Sequence, residues 1–194
     1  MSKNVRKGSE NPDCSDCDLA QGYKRPRVGG PRIKLQGKWS LFHNGDKRTF
    51  LGWLLLVPQT HYERWSCLGA AESKWLVPHI KQIDMSLRKY WEEKFQKDPI
   101  QRVYIVAFAE SRVNSPHVHF HLIPRTKRMK QKIRLIAKGW RIYKVPGRIR
   151  RGTSKYRELQ KYVIHKKGHN ENAKKLMNYL REKLLNQDSS QRDN

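Results

Sequence analysis

Acidic residues are scarce in this 194-residue chain. Asp and Glu number 17 against 42 Lys and Arg, a formal net charge of +25. From Ser111 to Arg157 there is no carboxylate side chain at all. A field of that sign attracts polyanions (nucleic acid, nucleotides, anionic lipid surfaces) and is silent about fold. Cysteine is scarce too: 3 residues, an odd number, two of them in Cys14-Ser15-Asp16-Cys17. That favours a reducing, cytoplasmic compartment and metal binding over a disulfide framework, although two free thiols would leave the same trace. Cys67 has no evident partner and is expected to be a small buried residue. No apolar run approaches the roughly 18 residues that a membrane span requires. Met1 to Asp13 lacks the apolar stretch of a secretory signal. Hydrophobic residues are 37% of the chain and mean hydropathy is −0.91. A compact middle with polar ends is expected, as one domain plus extensions.

What is present falls into two periodicities. Lys38 to Asn44 alternates as a strand does, with Trp39, Leu41 and His43 on one face. Asn44-Gly45-Asp46 is a turn signal. Phe50 to Val57 is a continuous apolar run, read as a strand buried on both faces. From Leu76 the period lengthens: Ile80, Ile83, Leu87, Tyr90, Trp91 and Phe95 recur at three and four. This predicts one amphipathic helix from about Lys74 to Gln96, with Pro78 in its first turn and Lys97-Asp98-Pro99 as its stop. Val103 to Phe108 is a further strand. Two strands, a helix and two more strands predict an antiparallel α+β layer of sheet and helix.

The ends are different. Residues 1–13 read as flexible, and Gly22 to Gly37 as a Gly-, Pro- and Arg-rich loop. Within it Lys24-Arg25-Pro26-Arg27 reads as solvated, with a nuclear address or a phosphate contact as alternatives. Residues 126–194 form a basic extension. From Lys127 to Arg151 basic residues interleave with Ile133, Leu135, Trp140, Ile142 and Tyr143, a composition suited to RNA or DNA phosphates. A short strand over Gly139 to Val145 is predicted there, then helices over Tyr156 to Ile164 and Glu171 to Leu185. In the last of these, Leu176, Leu180, Leu184 and Leu185 make a narrow apolar stripe.

The most informative stretch is His117-Val118-His119-Phe120-His121-Leu122-Ile123-Pro124-Arg125. As a strand it sets His117, His119 and His121 on one face and Val118, Phe120 and Leu122 on the other. Three adjacent imidazoles are costly to bury unpartnered, so the segment marks a site: a metal centre or a reactive cluster.

This stretch resembles the signature of the histidine triad (HIT) superfamily of nucleotide hydrolases and transferases. Gly52-Trp53-Leu54-Leu55-Leu56-Val57-Pro58-Gln59-Thr60-His61 is similar to the family's second strand and turn, Phe42-His43-Asn44 to its nucleoside-binding strand end, and Cys14-Ser15-Asp16-Cys17 to the Cys-x-x-Cys of many bacterial members. All four stand in the family's order, from Cys14 to Arg125. The resemblance implies a HIT-like antiparallel sheet of about five strands with one main helix packed on it, over residues 14–125. It implies His119 as the nucleophile at an α-phosphorus, through a nucleotidyl-histidine intermediate, with a backbone carbonyl fixing its tautomer, and His121 as a phosphate-binding partner. It implies a structural zinc ion on Cys14, Cys17, His61 and His117. It places His43 and Asn44, with Asn114 or Ser115 as leaving-group donor, at the nucleotide, and Leu41 and Leu54 beside the base. A homodimer through the helix, with Tyr90 and Trp91 facing the partner, is a further expectation. Substrates in this reading are dinucleoside polyphosphates, nucleoside phosphoramidates or adenylated ends. The alternative is a zinc-stabilised basic nucleic-acid binder with little or no catalysis. Two departures stand out: Trp53 occupies a position that is often histidine in the family, and the loop before the triad is short.

Overall fold

The computed structural model describes residues 14–45, 50–108, 116–127 and 169–190. Five strands form one antiparallel sheet: β1 (Ile33–Leu35), β2 (Trp39–His43), β3 (Leu54–Pro58), β4 (Arg102–Phe108) and β5 (His119–Arg125), in the order β1-β2-β3-β5-β4. Helix α1 (Ser15–Gln21) precedes the sheet, α2 (Ala70–Lys94) joins β3 to β4, and α3 (His169–Ser190) follows. The predicted α+β architecture is present.

Alternation sorts the side chains of the sheet. Trp39, Leu41, Leu54, Leu56, Phe120 and Leu122 are buried in one cluster with Ile83, Leu87 and Trp91 of α2. Each such side chain stabilises the fold by about 2 kcal/mol when withdrawn from water. On the opposite face Phe42 and Val57 make a smaller cluster with Ala20 of α1. The registers Phe42↔Leu55, Leu55↔His121 and Val106↔His121 put the second and third triad histidines on that opposite face.

Several boundaries differ from the sequence reading. The apolar run from Phe50 is not all strand. Gly52 sits at φ +83, where a Cβ would lie 2.8 Å from Trp91 and 2.9 Å from Pro124, so the chain turns tightly there before β3 begins at Leu54. Helix α2 starts at Ala70, behind a single 3-10 turn at Trp65–Cys67, so Pro78 lies inside it rather than in its first turn. Packing of the apolar face outweighs the one backbone bond that Pro78 cannot donate. Cys67 is exposed, not buried. Strand β1 arises within the Gly/Pro-rich stretch that read as loop. It is only three residues long, too short for alternation to register.

Helix α3 is the largest addition. Ala173, Leu176, Met177, Leu180 and Leu184 are buried in the main cluster, whereas Leu185 is exposed. Asn170 accepts the Gly29 N–H at 3.2 Å, and Arg181 donates to the Pro31 carbonyl at 2.8 Å. Tyr179 meets Tyr90 edge-on at 5.2 Å. Tyr90 and Trp91 are therefore interior residues, which removes them as a surface for a partner chain. The predicted strand at Gly139 to Val145 and helix at Tyr156 to Ile164 lie outside the described residues, as does the basic stretch beyond Lys127.

Candidate functional site

Four ligand atoms converge where α1 meets the end of β3 and the start of the triad. The Sγ of Cys14 and of Cys17 lie 3.4 Å from Nδ1 of His117, and Cys17 Sγ lies 3.3 Å from Nδ1 of His61. A tetrahedral ion with Zn–S of about 2.3 Å and Zn–N of about 2.1 Å sets its ligand atoms roughly 3.4–3.8 Å apart, so these separations fit. All four atoms fall within 4.8 Å of one another. The hydrogen bond with Cys17 is the main influence that lowers the Cys14 thiol, to about 3, against the opposing effect of burial. A thiolate at neutral pH is the form a metal needs. His117 is 0% exposed and its Nε2–H donates to the Pro58 carbonyl at 3.2 Å, which leaves Nδ1 as the ligand atom. The Val118 N–H to Tyr62 carbonyl bond, 2.8 Å, ties the segment carrying His61 to the triad. These residues form a closed Cys2His2 site for a structural zinc ion. They tie α1, otherwise a seven-residue helix of little intrinsic stability, onto the sheet.

Two residues further on, His119 is turned by the period of the strand to lie beside His121, their ring centroids 5.0 Å apart. Its Nδ1–H donates to the His117 carbonyl at 2.8 Å. In the neutral ring the lone pair then sits on Nε2. The Asp16 carboxylate lies 3.8 Å from the same Nδ1. Burial raises the Asp16 carboxyl above its ordinary value, while His119 pulls it back.

Residues 41–128 match the family model described as HIT domain. Over these residues the chain is similar to the histidine triad family. Among solved structures it is similar to a Zn-bound histidine triad family protein from Mycobacterium smegmatis, at 16% identity over 94% of this chain and 99% of that one, with a TM-score of 0.44. No curated protein matches the sequence.

Two residues that the sequence reading did not assign touch the triad. One is Asp16, hidden inside the Cys-x-x-Cys. The other is Trp53, whose Nε1–H donates to Nδ1 of His121 at 2.7 Å. The sequence marked Trp53 only as a departure from the family. Phe50 packs against the indole at 5.4 Å and holds it in place. Burial, and secondarily the charge of His119, push His121 down to about 3, so it stays neutral. With Nδ1 accepting from the indole, the ring proton sits on Nε2.

The nucleotide-side expectations fare differently. His43 shares a face with Trp39 and Leu41, opposite the face of His119 and His121. It is 1% exposed, with Nδ1–H donating to the Asn44 carbonyl at 3.0 Å and Nε2 accepting from Gly52 N–H at 3.1 Å. Both nitrogens are used inside the protein, so this imidazole braces the connection between β2 and β3. Leu41 and Leu54 are likewise core residues facing α2; Phe42 and Leu55 are their counterparts on the triad face. Asn44 follows β2 and is half-buried, its N–H donating to the Trp53 carbonyl at 2.9 Å. Asn114 and Ser115 lie outside the described residues. Among the described residues no helix is long and apolar enough to cross a membrane.

Proposed function

We propose that the protein is a nucleotide hydrolase or nucleotidyl transferase that works at an α-phosphate through His119. The observation that carries this is the 2.8 Å bond from His119 Nδ1–H to the His117 carbonyl, which puts the lone pair of the neutral ring on Nε2. The HIT domain supports a nucleotide-processing role in general. In the first step that lone pair forms an N–P bond as the bond from phosphorus to the leaving group breaks. The leaving group departs with the electron pair and takes up a proton. Water then attacks phosphorus, the N–P bond breaks, and a nucleoside monophosphate is released with neutral His119 restored. The attacked ring is cationic while it carries phosphorus, and Asp16 is the carboxylate placed to offset that charge. His121 is neutral and contributes an Nε2–H donor for a phosphate oxygen. Asn44, at the end of β2, is assigned to the ribose, and Asn114 or Ser115 to the leaving group.

Intact-protein mass spectrometry tests the reading. Wild type and His119→Ala would be incubated with ATP, diadenosine polyphosphates and AMP-amines. A transient gain of one nucleotidyl group on the wild type alone is expected. No adduct and no released nucleotide from any of these substrates would overturn it.

A further inference from the structure

We infer that a basic groove at the β1 edge binds the phosphates and bases of single-stranded nucleic acid. Two adjoining cavities of about 350 Å³ each open there and share Gln21, Arg32 and Lys34. The cations along them are Lys24, Arg25, Arg32, Lys34 and Lys38, and among the described residues no carboxylate lines either cavity. Lys24 pairs with Asp18 at 2.7 Å. Among the described residues Arg25, Arg32, Lys34 and Lys38 have no acidic partner.

Arg32 is the anchor. Its Nη1 donates to Ser40 Oγ at 3.0 Å and its Nη2 to the Gln21 carbonyl at 2.7 Å. Gly22, at φ +88, makes room: a Cβ there would lie 2.7 Å from Arg32 Nε. The guanidinium is thus fixed in place by neutral acceptors, and no carboxylate among the described residues cancels its charge. Such a group is preorganised for a phosphate oxygen. Lys34 projects from β1 between the buried Ile33 and Leu35, so its ammonium stands over the groove. At the rim Tyr23 is 53% exposed, a ring face on which a base can stack.

The shape selects the occupant. Shallow, open recesses of this size can each hold a nucleotide unit with its base splayed out. A duplex presents a convex cylinder and is read by an element that protrudes into its grooves. Lys34 pairs with Ser40, and Ser40 with Val57, which places the groove on the sheet face that also carries His119 and His121. The two sites lie at opposite ends of α1, with Asp16 beside His119 and Gln21 beside Arg32. The five intervening helical steps span about 8 Å. The groove proposal does not rest on the catalytic reading.

Fluorescence anisotropy of a labelled 15-mer of deoxythymidine on the full chain, from 50 to 300 mM salt, is the test. Lys34→Ala/Lys38→Ala, both exposed and expected to fold, should weaken binding at least about tenfold at low salt. The log–log salt slope should fall by about 1.4, or about 0.7 for each phosphate that is no longer neutralised. Tyr23→Ala should weaken binding by about tenfold with the slope unchanged. The charge-matched control is Lys81→Ala/Lys89→Ala on the exposed side of α2, across the sheet. It should change affinity less than threefold. Equal losses from groove and control variants would assign binding to the general field of the chain and overturn the proposal. So would unchanged oligonucleotide binding in the groove variants, including the case in which they lose affinity only for inorganic phosphate.

Discussion

The indole N–H of Trp53 points at Nδ1 of His121 across 2.7 Å, and the two rings meet edge-on at 5.7 Å. An indole nitrogen only donates, so the proton of His121 is confined to Nε2. The third histidine of the triad is held as a neutral donor rather than a proton shuttle. Trp53→Phe keeps most of the bulk and removes the bond. Nitrogen-15 NMR of the imidazoles should then show the single His121 tautomer replaced by a mixture. Loss of that alignment, worth about 1 kcal/mol, should lower kcat by roughly fivefold while KM changes little. An unchanged tautomer in Trp53→Phe would show that something other than the indole sets it.

The four zinc ligands come from three separate segments, so losing one should loosen all three. Cys17→Ser is expected to retain less than one zinc per chain by metal analysis. Losing roughly 4 kcal/mol would lower Tm by about 10 °C. A chelator should reproduce the effect on the wild type and add nothing to the variant.

His43 supplies a pH dependence with a definite sign. Burial holds its folded-state pKa at about 4, whereas an unfolded imidazole titrates near 6.5. Between those values the unfolded chain binds the extra proton, so folding stability falls as pH drops from about 6.5 to 4 and is not lowered further by this group below that. The total is on the order of 3 kcal/mol. His43→Gln cannot titrate, and its urea midpoint should be flatter over this window than that of the wild type, with zinc in excess in both.

Helix α3 contributes to the same core as the sheet, and its removal should register there. Leu180→Ala is expected to cost about 3 kcal/mol, because a fully buried leucine leaves a cavity that the packed neighbours cannot fill. Ending the chain before His169 should cost more and shift the near-ultraviolet circular dichroism of Tyr90 and Trp91. A truncated chain as stable as the full one would make α3 an appendage.

The triad, the Cys-x-x-Cys pair and the strand–helix order were legible because each has a short-range signature, in alternation, cysteine spacing and three-and-four spacing; His61 entered the ligand set only through the family resemblance. His43 was misassigned because adjacency to Asn44 said nothing of which face it occupies. Its alternation with Trp39 and Leu41 already held that information. Asp16 and Trp53 were missed for another reason. Their roles depend on partners 103 and 68 residues away along the chain. Strand β1 and the docking of α3 also arise only from tertiary packing, since neither a three-residue strand nor a stripe of leucines names the surface it will pack on.

The long reach of these pairings bears on how the molecule assembles. Cys14 meets His117 across 103 residues, Gly29 meets Asn170 across 141, and Arg181 meets Pro31 across 150. Loop closure of that span delays the reward for ordering the chain, so folding should be slow for a domain of this size. During synthesis the first metal thiolate waits on the ribosome until its last imidazole partner has emerged. The core stays open along α2 for some fifty residues more.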